Sequence, residues 1–189
     1  MLNDVMTLAE ASVIWGIKYE GLLKCITAGP LDQPKFHDNE VDKIQDTWIV
    51  TRQAMERLFW PMRAITADKA YMLAQLECPG ALITNYYETE RGFVFSGQWY
   101  GGGLPKVEKK TGRVGWYLEE WGNRDKAKWK ATEDLFMGSF EDSLGPIYDS
   151  IKEKQEIVRK KQLPGVHNPY PESKEHKTIF QKFLDKIGW

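Results

Sequence analysis

Residues 77–80, Glu77-Cys78-Pro79-Gly80, cut the chain into two stretches of different chemistry. Proline has no N–H for the helical ladder and glycine leaves it readily, so no helix runs through this point. Before the break, apolar residues recur at helical spacing. After it come two runs rich in aromatic and β-branched residues, Leu82 to Tyr87 and Phe93 to Tyr100, which read as strands joined by Glu88 to Gly92. Helices first and strands later predict an α+β fold, not an alternating α/β one.

The first stretch contains its own stop and start signals. Thr7-Leu8-Ala9-Glu10 is a capping box, with Leu8, Ala11 and Ile14 on one face and Gly16 as the stop. A second short helix follows from Tyr19 to Ala28, ended by Gly29-Pro30. Leu31 to Asp46 reads as a polar loop. Trp48-Ile49-Val50 reads as a strand, and Thr51 caps a third helix from Arg52 to about Phe59. Thr66 caps a further helix to about Leu76. Trp15 and Trp48, large apolar residues in amphipathic segments, are expected in one core.

Beyond the first hairpin, Pro105 to Val107 and Val114 to Leu118 predict two more strands around a turn at Thr111-Gly112. From Lys126 the pattern turns helical. Leu135, Phe136, Phe140 and Leu144 fall on one stripe, and Ile147, Ile151 and Val158 on the next. Ile179 to Ile187 predicts a closing amphipathic helix. The expected organisation is a three-helix module over residues 1–62, a connecting helix and linker over 63–79, and a small antiparallel sheet with C-terminal helices over 80–189.

Two short helices joined at a glycine, then a loop, a strand and a third helix, suit a winged or excisionase-like DNA-binding module. Met6-Thr7-Leu8-Ala9-Glu10-Ala11-Ser12, followed by Ile14-Trp15-Gly16-Ile17, resembles a helix-turn-helix family of Gram-positive bacteria and their phages. So does Asp46 to Arg57, over about residues 6–60 in all. The resemblance implies a three-helix fold that binds double-stranded DNA. In that family the second helix opens with small polar residues and exposes an arginine. This chain has Glu20, Gly21 and Leu23 there, which leaves Lys18, Tyr19 and Lys24 as contacts, with Arg52 or Arg57 near the backbone.

Charge weighs against strong electrostatic binding. The whole chain carries 26 Lys+Arg against 27 Asp+Glu, a net charge of −1. Residues 1–62 hold six cations and nine carboxylates, a net of −3. The module must therefore sort its charges onto different faces to bind DNA, or serve as a protein-contact or dimerisation unit.

The aromatic density of the second stretch has three readings. Trp99, Tyr100, Trp116, Tyr117 and Trp121 lie among Lys106, Lys109, Lys110, Arg113 and Arg124. This is the make-up of a small-sheet core, of a protein-binding surface, or of a stacking platform for single-stranded nucleic acid. Neighbours such as Trp99 and Tyr100 point to opposite faces of a regular strand, so one of each pair is expected outside. The candidate partner-binding set is Trp99, Tyr100, Arg113, Trp116, Tyr117 and Trp121. The acid pairs Glu119-Glu120, Glu133-Asp134 and Glu141-Asp142 read as solvated faces or as phosphate mimics.

No catalytic motif is present, and an enzyme is not expected. Gly101-Gly102-Gly103 lacks the Gly-Lys-Ser/Thr of a phosphate loop. Cys78, His167 and His176 lack metal-ligand spacing, so no metal or cofactor is expected. No apolar run approaches the roughly 18 residues of a membrane helix. Cys25 and Cys78 read as reduced thiols of a cytoplasmic protein. The expectation is a DNA-binding regulator or accessory protein of a phage or mobile element, acting as a two-fold homodimer. The alternative is an inhibitor of a host system, anti-CRISPR-like, whose C-terminal domain binds a protein target and whose helix-turn-helix autoregulates or dimerises.

Overall fold

The computed structural model describes residues 5–27, 36–98, 104–117 and 128–161. The first unit is β1 (Val5–Thr7), α1 (Leu8–Trp15), α2 (Tyr19–Thr27), β2 (Val41–Ile44), β3 (Thr47–Thr51) and α3 (Arg52–Leu58). Its strands form an antiparallel sheet in the order β1-β3-β2. Next come α4 (Ala67–Glu77), β4 (Leu82–Glu88), β5 (Gly92–Gln98), β6 (Leu104–Glu108), β7 (Val114–Tyr117) and the short β8 (Lys130–Ala131). These strands form a second antiparallel sheet, β7-β6-β5-β4-β8. A 3₁₀ turn at Thr132–Asp134, α5 (Gly138–Leu144) and α6 (Pro146–Lys161) complete the described chain. The fold is α+β with segregated helices and antiparallel sheets.

The local signals work as their chemistry dictates. Thr7 Oγ1 accepts the Glu10 N–H at 3.2 Å, and Glu10 Oε2 accepts the Thr7 N–H at 2.7 Å. Gly16, at φ 69°, supplies the left-handed residue that ends α1. Thr51 Oγ1 accepts the Ala54 N–H at 3.1 Å and starts α3. Thr66 stands at the head of α4 in extended conformation, but its side chain makes no capping bond.

Several elements depart from expectation. Val41–Ile44, read as loop, is a strand that pairs with β3. Val5–Thr7 is also a strand, pairing Met6 with Val50. Each is too short to announce itself by alternation. Leu135 and Phe136 precede α5 instead of lying on its stripe, and Phe136 is left 72 % exposed. The closing helix expected at 179–187 lies outside the described residues.

One continuous core runs through both units. It contains Leu8, Ile14, Trp15 and Leu22 of the first, Leu73 and Ala74 of α4, and Phe93, Phe95 and Val107 of the second sheet. Trp48 packs partly buried at its edge. α4, expected as a connector, is a central element that packs on α1, β5, β6 and β7. α5 packs on α1 and α2. The turn between β6 and β7 presses into the junction. Gly112 has φ 69°, and a Cβ there would lie 3.0 Å from Ile14 Cδ1 and 3.4 Å from Leu73 Cδ1. Arg52 at the start of α3 donates to the Thr111 carbonyl at 2.7 Å, and the Ile65 N–H donates to the Lys109 carbonyl at 3.0 Å.

Two stability measurements follow from this packing. Trp15→Ala is expected to cost about 3–5 kcal/mol in urea unfolding, as a buried ring leaves a cavity, and Trp48→Ala less. Gly112→Ala is expected to cost about 1–2 kcal/mol, because it forces a left-handed φ on a Cβ that also crowds Ile14. An unchanged midpoint for Gly112→Ala contradicts the packing of this turn on α1.

Candidate nucleic-acid interface

Two elements of the first unit, α2 and the β2–β3 hairpin, expose most of their polar residues. α2 is anchored by a single fully buried side chain, Leu22, with Tyr19, Leu23 and Ile26 half-buried against the core. The Leu22 N–H donates to the Lys18 carbonyl at 3.1 Å, so Lys18 stands at the entry to the helix. Lys18, Glu20, Lys24 and Thr27 are exposed. α2 is the second helix of the chain, the position that enters the major groove in helix-turn-helix proteins.

The hairpin closes through Gln45-Asp46, since Ile44 pairs with Thr47. Gln45 takes the left-handed conformation at φ 54°, and Ile44 is 57 % exposed at the tip. Lys43 Nζ lies 5.7 Å from the Trp48 ring centroid, a cation–π contact that holds the lysine along the hairpin. Lys43 and Ile44 are missed by sequence reasoning because Val41–Ile44 reads as part of the polar loop before the Trp48 strand. The signal was present: Val41 to Ile44 and Thr47 to Val50 flank a two-residue turn.

The expected contacts fare differently. Lys18 and Lys24 are exposed beside α2, and Tyr19 is half-buried. Arg52 is turned to the Thr111 carbonyl and Met62 Sδ, inside the chain. Arg57 donates through Nε to Glu40 Oε1 at 2.9 Å and pairs through Nη2 with Glu40 Oε2. Glu40 Oε2 also accepts the His37 N–H at 2.7 Å, and the Glu40 carbonyl accepts the Thr51 N–H at 3.0 Å. The Arg57 side-chain bonds first, then the His37 N–H, hold the Glu40 carboxyl below the usual carboxylate range. Glu40 thus ties the entry of β2 to α3 and fixes the hairpin.

Residues 1–63 match the family model of a helix-turn-helix domain. The match covers the N-terminal third, where the sequence resemblance was placed, and a helix-turn-helix suggests a DNA-binding, regulatory role. No curated protein and no solved structure matches the chain. Among the described residues, Lys18 before α2, Lys24 on it and Lys43 of the hairpin are matched in number by exposed Glu20, Asp42 and Asp46. The Asp42 carboxylate accepts the Lys43 N–H at 2.7 Å.

In the second unit, Trp116 on β7 is 48 % exposed and Arg113 is exposed. Tyr117 ends β7, but its side chain, like Trp99, Tyr100 and Trp121, lies outside the described residues. Both cysteines are free thiols, and burial pushes each above its ordinary pKa. Among the described residues no helix is long and apolar enough to cross a membrane, and no group of His, Cys, Asp and Glu forms a metal cluster.

Glu40→Gln gives a pH-dependent readout. The carboxyl titrates lower in the folded than in the unfolded chain, so its ionised form stabilises the fold. That contribution is complete above the unfolded pKa and is lost as pH falls through the depressed folded one. The wild type is expected to melt above Glu40→Gln at pH 7, with the gap closing in acid below the ordinary carboxylate range. A gap that is independent of pH contradicts the ion pair.

Proposed function

We propose that this chain is a DNA-binding regulator or accessory protein of a phage or other mobile element, working in the bacterial cytoplasm and not as an enzyme. The observation that carries the reading is α2: an amphipathic second helix, anchored through Leu22, with Lys18 exposed at its entry and Lys24 exposed on it. The family match over residues 1–63 supports it. The phage or mobile-element source rests on the resemblance of the two N-terminal motifs.

Because Lys18, Lys24 and Lys43 are balanced by three neighbouring carboxylates, phosphate contacts are few and base readout must carry the discrimination. The binding mode is then a weakly salt-dependent one. With three phosphate contacts, the slope of log K against log salt is about −2.7. A two-fold dimer would double the contacts on a palindromic site.

A second reading has one observation in its favour. Trp116 stands half exposed on an edge strand, and Arg113 is exposed just before that strand; Trp and Arg are the residue types that anchor protein interfaces. The C-terminal unit then binds a protein target, and the helix-turn-helix autoregulates.

Fluorescence anisotropy of the full chain on DNA from its own upstream region, at several salt concentrations, tests the first reading. Lys24→Ala is expected to weaken binding and flatten the salt slope by about one unit. Absence of binding at low salt would turn the assignment to the second reading. In that case Trp116→Ser is expected to abolish target capture while changing stability by less than about 1 kcal/mol.

A further inference from the structure

A cavity of about 280 Å³ lies where the end of α1 meets the start of α4, lined by Ile14, Trp15, Trp60, Arg63 and Lys69. Its walls are tied together. The Trp15 indole N–H donates to the Trp60 carbonyl at 2.8 Å, and Lys69 Nζ donates to the Ile14 carbonyl at the end of α1. Trp15, itself only 4 % exposed, lines this space with the more open Trp60 and two cations, and none of the lining residues is acidic.

Some cations elsewhere on the fold have a carboxylate partner. Arg57 is matched by Glu40 and Lys109 by Glu88. Among the described residues neither Arg63 nor Lys69 has a carboxylate partner. The nearest acid in sequence, Asp68, instead accepts the Phe136 N–H at 3.2 Å. Lys69 is half-buried, and burial together with the Arg63 charge lowers the pKa of its ammonium. An anion beside the pair would relieve both costs. Trp60, 44 % exposed, leaves an apolar ring at the mouth.

We propose that this cavity binds a small aromatic carboxylate, its ring against Trp15 and Trp60 and its carboxylate on Arg63 and Lys69. The volume sits just below the usual span of ligand pockets, roughly 300–1,000 Å³, which suits a one- or two-ring molecule. Indole faces suit a planar ring. Arg63 offers the fork that takes a carboxylate in a bidentate way, and Lys69 adds a second donor. The site joins α1 of the helix-turn-helix to α4, and Trp15 is two residues before the approach to α2, at Ile17. A ligand there would therefore bear on how α2 is held. That consequence rests on the DNA-binding reading; the site itself does not.

The test reads binding to the full chain directly, without DNA. Phenylacetate, its neutral isostere phenylacetamide and inorganic phosphate are titrated into ¹⁵N-labelled protein while the indole N–H resonances are followed. Trp60→Phe and Trp15→Phe spectra assign the two signals among the eight tryptophans. Phenylacetate is expected to move both signals and saturate with a Kd at or below about 1 mM, in reach of a fragment this size. Phenylacetamide and phosphate are each expected to bind at least about tenfold more weakly, since one charge-assisted contact or one stacked ring is worth that much. Arg63→Gln, at an exposed position, is expected to keep the wild-type melt and lose about tenfold in affinity, and Lys69→Gln to move in the same direction. The proposal is overturned by still signals at about 20 mM phenylacetate, by equal binding of the amide, or by wild-type affinity in a folded Arg63→Gln. Equal binding of phosphate overturns it too, because the cavity is then a plain anion site with no use for its rings.

Discussion

The Gly112 turn of the second sheet seats against Ile14 of α1 and Leu73 of α4, and the relation between the two halves of the molecule depends on that contact. Glycine at 112 is what lets the turn come so close: the position is left-handed, and a side chain would meet Ile14 at 3.0 Å. Arg52 reinforces the junction from α3, and Ile65 from the segment before α4. Apolar surface that two separate modules would each leave wet is buried once, in a shared core. The helix-turn-helix is therefore not a freely tethered head, and α2 is positioned by α1, whose other sides are covered by α4 and α5.

This arrangement explains where the arginines went. Arg52 and Arg57 sit on α3, the helix that continues from β3. A guanidinium there is near the β6–β7 turn or near Glu40, and each finds an oxygen partner within the chain. On α2, its entry and the β2–β3 hairpin, the exposed cations among the described residues are Lys18, Lys24 and Lys43, each close in sequence to a carboxylate. Under the DNA-binding proposal, charges of this kind gain little from counterion release and leave discrimination to shape and specific hydrogen bonds. The cavity at Trp15 and Trp60 has the opposite character: two cations with no acid between them.

Much of the fold was legible because short-range chemistry dictated it. The Thr7–Glu10 capping box, the Gly16 stop, the Thr51 cap and the aromatic strands of β4 and β5 all depend on residues within a few positions of one another. β1 and β2 were not legible. Each is three or four residues long, and each exists because β3 offers it a ladder. Lys43 and Ile44 were lost with β2. Phe136 was placed on a helical stripe because apolar spacing cannot tell a helix from the turn before it, and α5 begins only at Gly138. Lys18 and Lys24 were found because α2 itself was found, whereas the engagement of Arg52 with Thr111, 59 residues away, left no local trace.

The sequence by itself determined the α+β class, the helix-turn-helix at the N-terminus and the break at Cys78-Pro79-Gly80, since caps, breakers and periodicity act over one or two turns of chain. Only the tertiary structure decided that α4 is a central core element, that Arg57 belongs to Glu40, and that Trp15, Trp60, Arg63 and Lys69 surround one cavity. Arg57 lies 17 positions from Glu40, and Trp15 lies 54 from Lys69. Those relations are set by which apolar faces pack together, and no local preference encodes that choice.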